Sequence, residues 1–215
     1  SETVNLLALT IDRQLNFQSH VSGLCKKASN QVKAMLRLPM SLTIECRKRL
    51  YEAFIRSNFN YCSIIWHLCG MSSTKNMEVI QERCLKFIYS DHTSNYDTLL
   101  TMANTESLYM QRYKKLLRFV FDVLNENAPE FLHKMFSHHT TAYDLRDNLR
   151  LELPVFKTVK YGKMCLSYEG AKIYNELPTH IKYIENRKHF LHAIKQWKGP
   201  ECMCGSCSLC LPKIL

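Results

Sequence analysis

The chain has 215 residues, 46% of them hydrophobic, with 29 Lys plus Arg against 19 Asp plus Glu and a net charge of +10. The hydrophobic share excludes a wholly disordered chain, and the charge excess favours a polyanionic partner, nucleic acid ahead of an anionic membrane surface, against the plainer reading of a basic protein with no such partner. The longest apolar run, around YCSIIWHLCGM at 61–71, is too short to span a bilayer, and SETVNLLALTIDRQLNF lacks the basic-then-apolar order of a signal peptide.

In chain order, VNLLALTI (4–11) is short, apolar and partly β-branched, which predicts one buried strand. An amphipathic helix follows. Phe17, Val21, Leu24, Ala28, Val32, Met35 and Leu36 recur at three- and four-residue steps on one face, and Lys26, Asn30, Lys33 and Arg37 line another. No acidic residue occurs between Arg13 and Ile44, and Pro39 stops the helix. Thr43 caps a second basic helix through CRKRLYEAFIRSNF, with Leu50, Phe54 and Ile55 inward. A third covers 74–89 on Met77, Ile80, Cys84, Phe87 and Ile88. A fourth spans 106–125 on Leu108, Leu116, Phe119, Val120 and Val123. APEFLHKMF predicts a short helix from Pro129. From about His138 the texture turns β-branched and aromatic, with Pro154, Gly162 and Gly170, and 143–170 reads as extended segments and turns. NRKHFLHAIKQW (186–197) returns to helical spacing on Phe190, Ile194 and Trp197 before Gly199-Pro200 breaks the chain.

Of the ten cysteines, Cys25, Cys46, Cys62, Cys69, Cys84 and Cys165 are scattered, several at apolar helix positions. That pattern fits reduced thiols in an intracellular protein, nuclear or cytoplasmic, better than a disulfide framework.

The order of several strings resembles the C-terminal part of a reverse transcriptase from a non-LTR (LINE-type, jockey-like) retrotransposon. LLALTIDRQLNFQSHV is similar to that family's Leu-Gly-Val-x-Ile-Asp…Leu-x-Phe-x-x-His-Ile. RKRLYEAFIRSNFNYCSIIW, QERCLKFIY and YDLRDN follow in the family's order, then KTVKYGKMCLSYEGAKIYNELPTHIK and FLHAIKQWK. The likeness covers nearly the whole chain, with Ala8 where the family carries Gly and Tyr174 where it carries Trp. It implies a mainly α fold: the end of the polymerase palm as one strand (1–15), a helical thumb-like region (16–137), a mixed C-terminal region (138–198) and a Cys-rich tail (199–215). The implied partners are RNA and DNA as template–primer duplex and the upstream palm and fingers of the same polyprotein, with no membrane. Nucleotidyl transfer needs clustered carboxylates around divalent ions. The family's Tyr-x-Asp-Asp turn is absent, and the sequence holds no Asp-Asp pair. The chain alone is therefore expected to be inactive and to hold no cofactor, Mg belonging to the missing palm. The alternative readings are a stand-alone adaptor for nucleic acid or protein derived from such an element, and an inactive relic.

The candidate nucleic-acid-binding residues are Lys26, Asn30, Lys33 and Arg37, with Arg47 and Lys48 as a second group. Cations one turn apart along a helix can follow successive phosphates of an A-form-like duplex without reading sequence. An ordinary solvated face, or surface pairs with Glu45 and Glu52, are the competing accounts. Tyr61, Trp66 and Tyr89 suit base stacking or, more simply, the core. Cys62 with His67 has nucleophile-and-base residue types but no orienting acid. His138-His139 and His189…His192 offer imidazoles for a metal, against a surface role. Asp144 and Asp147 read as a solvated turn. ECMCGSCSLC places Cys202, Cys204, Cys207 and Cys210 within nine residues. Four thiolates suit tetrahedral zinc, but the single short loop suits equally a thiol-rich tail, with redox chemistry as a third reading.

Overall fold

The computed structural model of the chain describes residues 3–39, 41–139, 149–158, 162 and 165–200. Helices dominate, as the apolar periodicity predicts, and two compact units divide between Arg112 and Tyr113.

The first unit begins with a hairpin where the sequence predicts one strand. β1 (Thr3–Leu6) and β2 (Leu9–Asp12) pair antiparallel, Val4 opposite Ile11 and Leu6 opposite Leu9. Leu7 and Ala8 turn the chain with φ of 47° and 63°. Two left-handed residues in succession form the two-residue hairpin turn usually marked by Asn-Gly, and nothing in Leu-Ala announces it. Residues directly opposite share a face. Leu9 and Ile11 pack on the core, but Val4 and Leu6 beside them are 65% and 58% exposed, so half of the ribbon's apolar face is uncovered.

Asp12 links the hairpin to α1 (Gln18–Met35). Its carboxylate accepts hydrogen bonds from the backbone N–H of Gln14 (2.9 Å), Asn16 (3.2 Å) and Phe17 (2.7 Å). These contacts hold Leu15 and Phe17 at positive φ (52° and 54°), an unfavourable conformation for such side chains. His20 Nδ1 accepts from Thr10 N–H (3.2 Å), tying α1 back to β2. Val21, Ala28, Val32 and Met35 are buried as their spacing requires, so the opposite face is turned outward.

α2 (Ile44–Leu50) starts where predicted, Thr43 Oγ1 accepting from Cys46 N–H (3.3 Å). The helix then widens into a π turn (Tyr51–Arg56) before α3 (Ser57–Asn60). The wider turn moves the buried line onto Tyr51, Ile55 and Phe59, and Phe54, expected inside, stands 52% exposed. α4 (Met71–Tyr89) buries the predicted stripe and packs against α1. α5 (Tyr96–Met102) lies in a stretch given no element by its periodicity, and Asn95 caps it.

α6 (Leu108–Leu124) begins at a buried polar knot. Glu78 of α4 accepts from the N–H of Leu108 (3.1 Å) and Tyr109 (2.7 Å) and from Tyr96 OH (2.5 Å). A carboxylate supplied from another helix thus satisfies the orphan donors of a helix start.

In the second unit the rest of α6 buries Tyr113, Leu116, Leu117, Val120, Phe121 and Val123. A 3₁₀ turn (Glu130–Met135) follows Pro129, and His138 and Leu151 form an isolated antiparallel bridge. Three further helices are α7 (Leu166–Asn175), α8 (Thr179–Lys182) and α9 (Arg187–Gln196). α7 corrects the extended reading at its start. Its Gly170 admits Phe136, whose ring carbon would lie 2.8 Å from any added Cβ. Asn175 both donates to Leu151 O (2.9 Å) and accepts from Leu151 N–H (2.8 Å), replacing a strand partner.

Candidate nucleic-acid interface

α1 is anchored along one side by Val21, Ala28, Val32 and Met35 and at its start by Asp12 and His20. Asn58 Nδ2 of α3 donates to Gln31 Oε1 at 3.0 Å and fixes its flank. Lys26, Asn30, Lys33 and Arg37 stand on the outer face, and all are exposed. Arg37 lies just past the helix, where its N–H still bonds Ala34 O (3.2 Å). Among the described residues no hydrogen bond or ion pair engages these four side chains. Their spacing of four, three and four residues spreads the line over about 16 Å at 1.5 Å rise per residue. Lys27 is also exposed, one position round the helix; its place beside Lys26 in the sequence was the available signal.

The second predicted group is used differently. Arg47 is a correction: it is 5% exposed and lies within the fold. Its guanidinium donates to Phe87 O (3.1 Å), Ile88 O (3.3 Å) and Ser90 Oγ (2.7 Å) and sits over the Phe87 ring at 5.4 Å. Those are the last carbonyls of α4, where a cation meets the negative end of the helix dipole. Lys48 is half-buried, its ammonium 5.4 Å from the centre of the Tyr89 ring, and it lines a cleft of about 90 Å³ with Tyr51, Glu52 and Tyr89. Arg49 and Arg56 pair with Glu45 (3.4 Å) and Glu52 (2.6 Å) one turn away.

The aromatic candidates separate as well. Trp66 is fully buried, donating its indole N–H to Tyr61 O (3.0 Å). Tyr89 is half-buried and donates to Met102 O (3.1 Å). Tyr61 is 48% exposed, its hydroxyl bonded to Leu7 O at 2.6 Å.

His67, the base of the Cys62 pair, is buried against Tyr109, ring centres 5.6 Å apart. Burial first, and the nearby Arg112 charge second, push its pKa down to about 3. An imidazole held neutral so firmly is a poor proton acceptor at neutral pH. Arg112 itself is 2% exposed, with its guanidinium 5.3 Å over Trp66 and a contact to Met77 Sδ at 3.6 Å. Its place between Leu108, Tyr109, Tyr113 and Leu116 on the apolar stripe of α6 was the signal for its burial.

His138, His139, His189 and His192 are exposed, and among the described residues no group of three or more His, Cys, Asp or Glu is arranged to hold a metal. Asp144, Asp147 and the cluster of Cys202, Cys204, Cys207 and Cys210 lie outside the described residues. No described helix is long and apolar enough to cross a membrane.

No protein-family model matches the chain, and no solved structure matches it. The chain is similar to the uncharacterized protein B0403.1 of Caenorhabditis elegans, 25% identical over 130 residues. The match takes in 57% of this chain and 63% of that relative's length.

Proposed function

We propose that this chain is the C-terminal part of a retrotransposon reverse transcriptase and grips template–primer nucleic acid on the outer face of α1. The observation that carries the reading is the rigidly mounted line of Lys26, Asn30, Lys33 and Arg37, exposed and without partners among the described residues. Unpaired cations are free to neutralise phosphates, and release of the counterions condensed on those phosphates drives backbone binding. Asn30 adds a hydrogen-bond donor and acceptor for sugar or phosphate. Arg47 is removed from the proposed contact set because it is buried with its Nη1 bonded to the end of α4. Lys48 remains at its margin.

Two features of the hairpin support the same reading. The uncovered apolar face at Val4 and Leu6 is what a ribbon shows when a further layer packs on it, since two strands alone are marginal in water. Ala8, where the resembling family carries Gly, has a left-handed φ of 63°, the backbone that favours Gly. Catalysis on this reading belongs to an upstream palm, and the chain alone incorporates no nucleotide.

The test is the salt dependence of binding to a primer–template duplex. Each phosphate neutralised contributes about 0.9 to the slope of log affinity against log salt. Replacing Lys26, Lys33 and Arg37 by Ala should lower the slope by about 2.7. An unchanged slope removes α1 from the interface.

A further inference from the structure

α9 in the second unit is built like α1, although nothing in the resemblance assigns it a ligand. Phe190 and Ile194 are fully buried on its inner side, and the Phe190 ring stacks on Phe121 with centres 3.9 Å apart. Asn186 Oδ1 caps its start, accepting from Lys188 N–H (2.9 Å) and His189 N–H (3.3 Å). Arg187 is clamped to Asp122 through two bonds of 2.7 and 3.0 Å. The helix therefore has one fixed rotation about its axis.

That rotation turns Lys188, His192 and Lys195 outward, all exposed, at i, i+4 and i+7. No acidic residue occurs between Arg187 and Pro200, and Lys198 extends the run. Among the described residues neither Lys188 nor Lys195 has an ion pair, and His192 meets only Gln196, at 2.9 Å. Lys114 donates its ammonium to Lys195 O (3.2 Å) and ties the end of α9 to α6. Two ammonium groups on a helix face without acidic residues of its own complement a polyanion. Its length of about 10 Å matches a short stretch of nucleic-acid backbone.

We propose that the Lys188–His192–Lys195 face of α9 is a second nucleic-acid contact, holding two phosphates of a strand through the two ammonium groups, with the His192 imidazole hydrogen-bonding between them. The inference stands on the second unit and does not rest on the reading of α1. Ammonium groups bound to phosphates position a strand without reading its bases.

The experiment measures binding of the full chain to a fluorescent duplex and to fluorescent single-stranded RNA between about 50 and 200 mM salt. K188A/K195A is compared with wild type, with the α1 triple variant, and with K134A/K157A, which removes the same charge from exposed positions elsewhere in the unit. Circular dichroism confirms that each variant is folded. The expected result is a slope lower by about 1.8 on duplex, or about 1.4 on single strand, for K188A/K195A, and no comparable change for K134A/K157A. The same decrement should appear in the α1 variant background, which separates this face from α1. An unchanged slope, an equal change in K134A/K157A, or no binding to either nucleic acid would overturn the proposal.

Discussion

Lys33 and Arg47 lie on successive helices of one unit, both in basic segments, and the fold uses them in opposite ways. Lys33 is exposed, without a partner among the described residues, on a helix whose inner side does all the packing. Arg47 is buried, with two backbone carbonyls and a hydroxyl on its guanidinium. Arg112 goes further inside, over Trp66. A net charge of +10 thus overstates the charge a ligand can meet, because part of it neutralises helix ends and core faces. The cations left available to a ligand, on the proposed reading, are those on a face whose helix needs them for nothing else.

Acid offers the largest way to break this contrast, because it loads the interior with a further cation. His67 has a folded pKa of about 3, below the ordinary value of 6.5. Between those values the unfolded chain takes up a proton that the folded chain refuses. The stabilisation is therefore complete above pH 6.5 and is lost as pH falls, at about 1.4 kcal/mol per unit. His20, also held down by burial, adds in the same direction. Thermal unfolding followed from pH 7 to pH 4 should show a steep decline, and His67→Gln should flatten it. A stability unchanged across that range would contradict the buried, neutral His67.

Truncating the consumed cation comes next. Arg47→Ala should cost about 3 kcal/mol, since it strips charged hydrogen bonds from the end of α4. Lys33→Ala should cost less than about 0.5 kcal/mol, as surface changes do. Urea midpoints measure both, and equal effects would erase the distinction. Smaller still, Ala8→Gly should stabilise the chain by about 1 kcal/mol by relieving a left-handed alanine, while leaving the binding slope untouched. A loss of stability there would mean that the turn is not what holds Ala8.

The core faces of α1, α4 and α6 were legible, apart from Leu36, which stands 52% exposed just past the end of α1, because a helix buried on one side must repeat its apolar residues every three to four positions. The line of Lys26, Lys33 and Arg37 was legible for the same reason, as the remainder of that pattern. Arg47 was not, because its burial depends on where the end of α4 falls, forty residues away in sequence. Phe54 was misplaced by the π turn, although Tyr51, Ile55 and Phe59 at four-residue steps carried the trace of it. The hairpin was hidden by a turn made of Leu and Ala. α5 and α7 are short, and their stability comes from partners such as Glu78 and Phe136 that no local window contains.

If the exposed cations of α1 hold nucleic-acid phosphates, as proposed, the salt dependence of duplex binding separates the wild-type chain from K26A/K33A/R37A at matched folded fraction. The slope should fall by about 2.7 with the melting temperature preserved. Parallel lines for the two proteins would remove α1 from the interface.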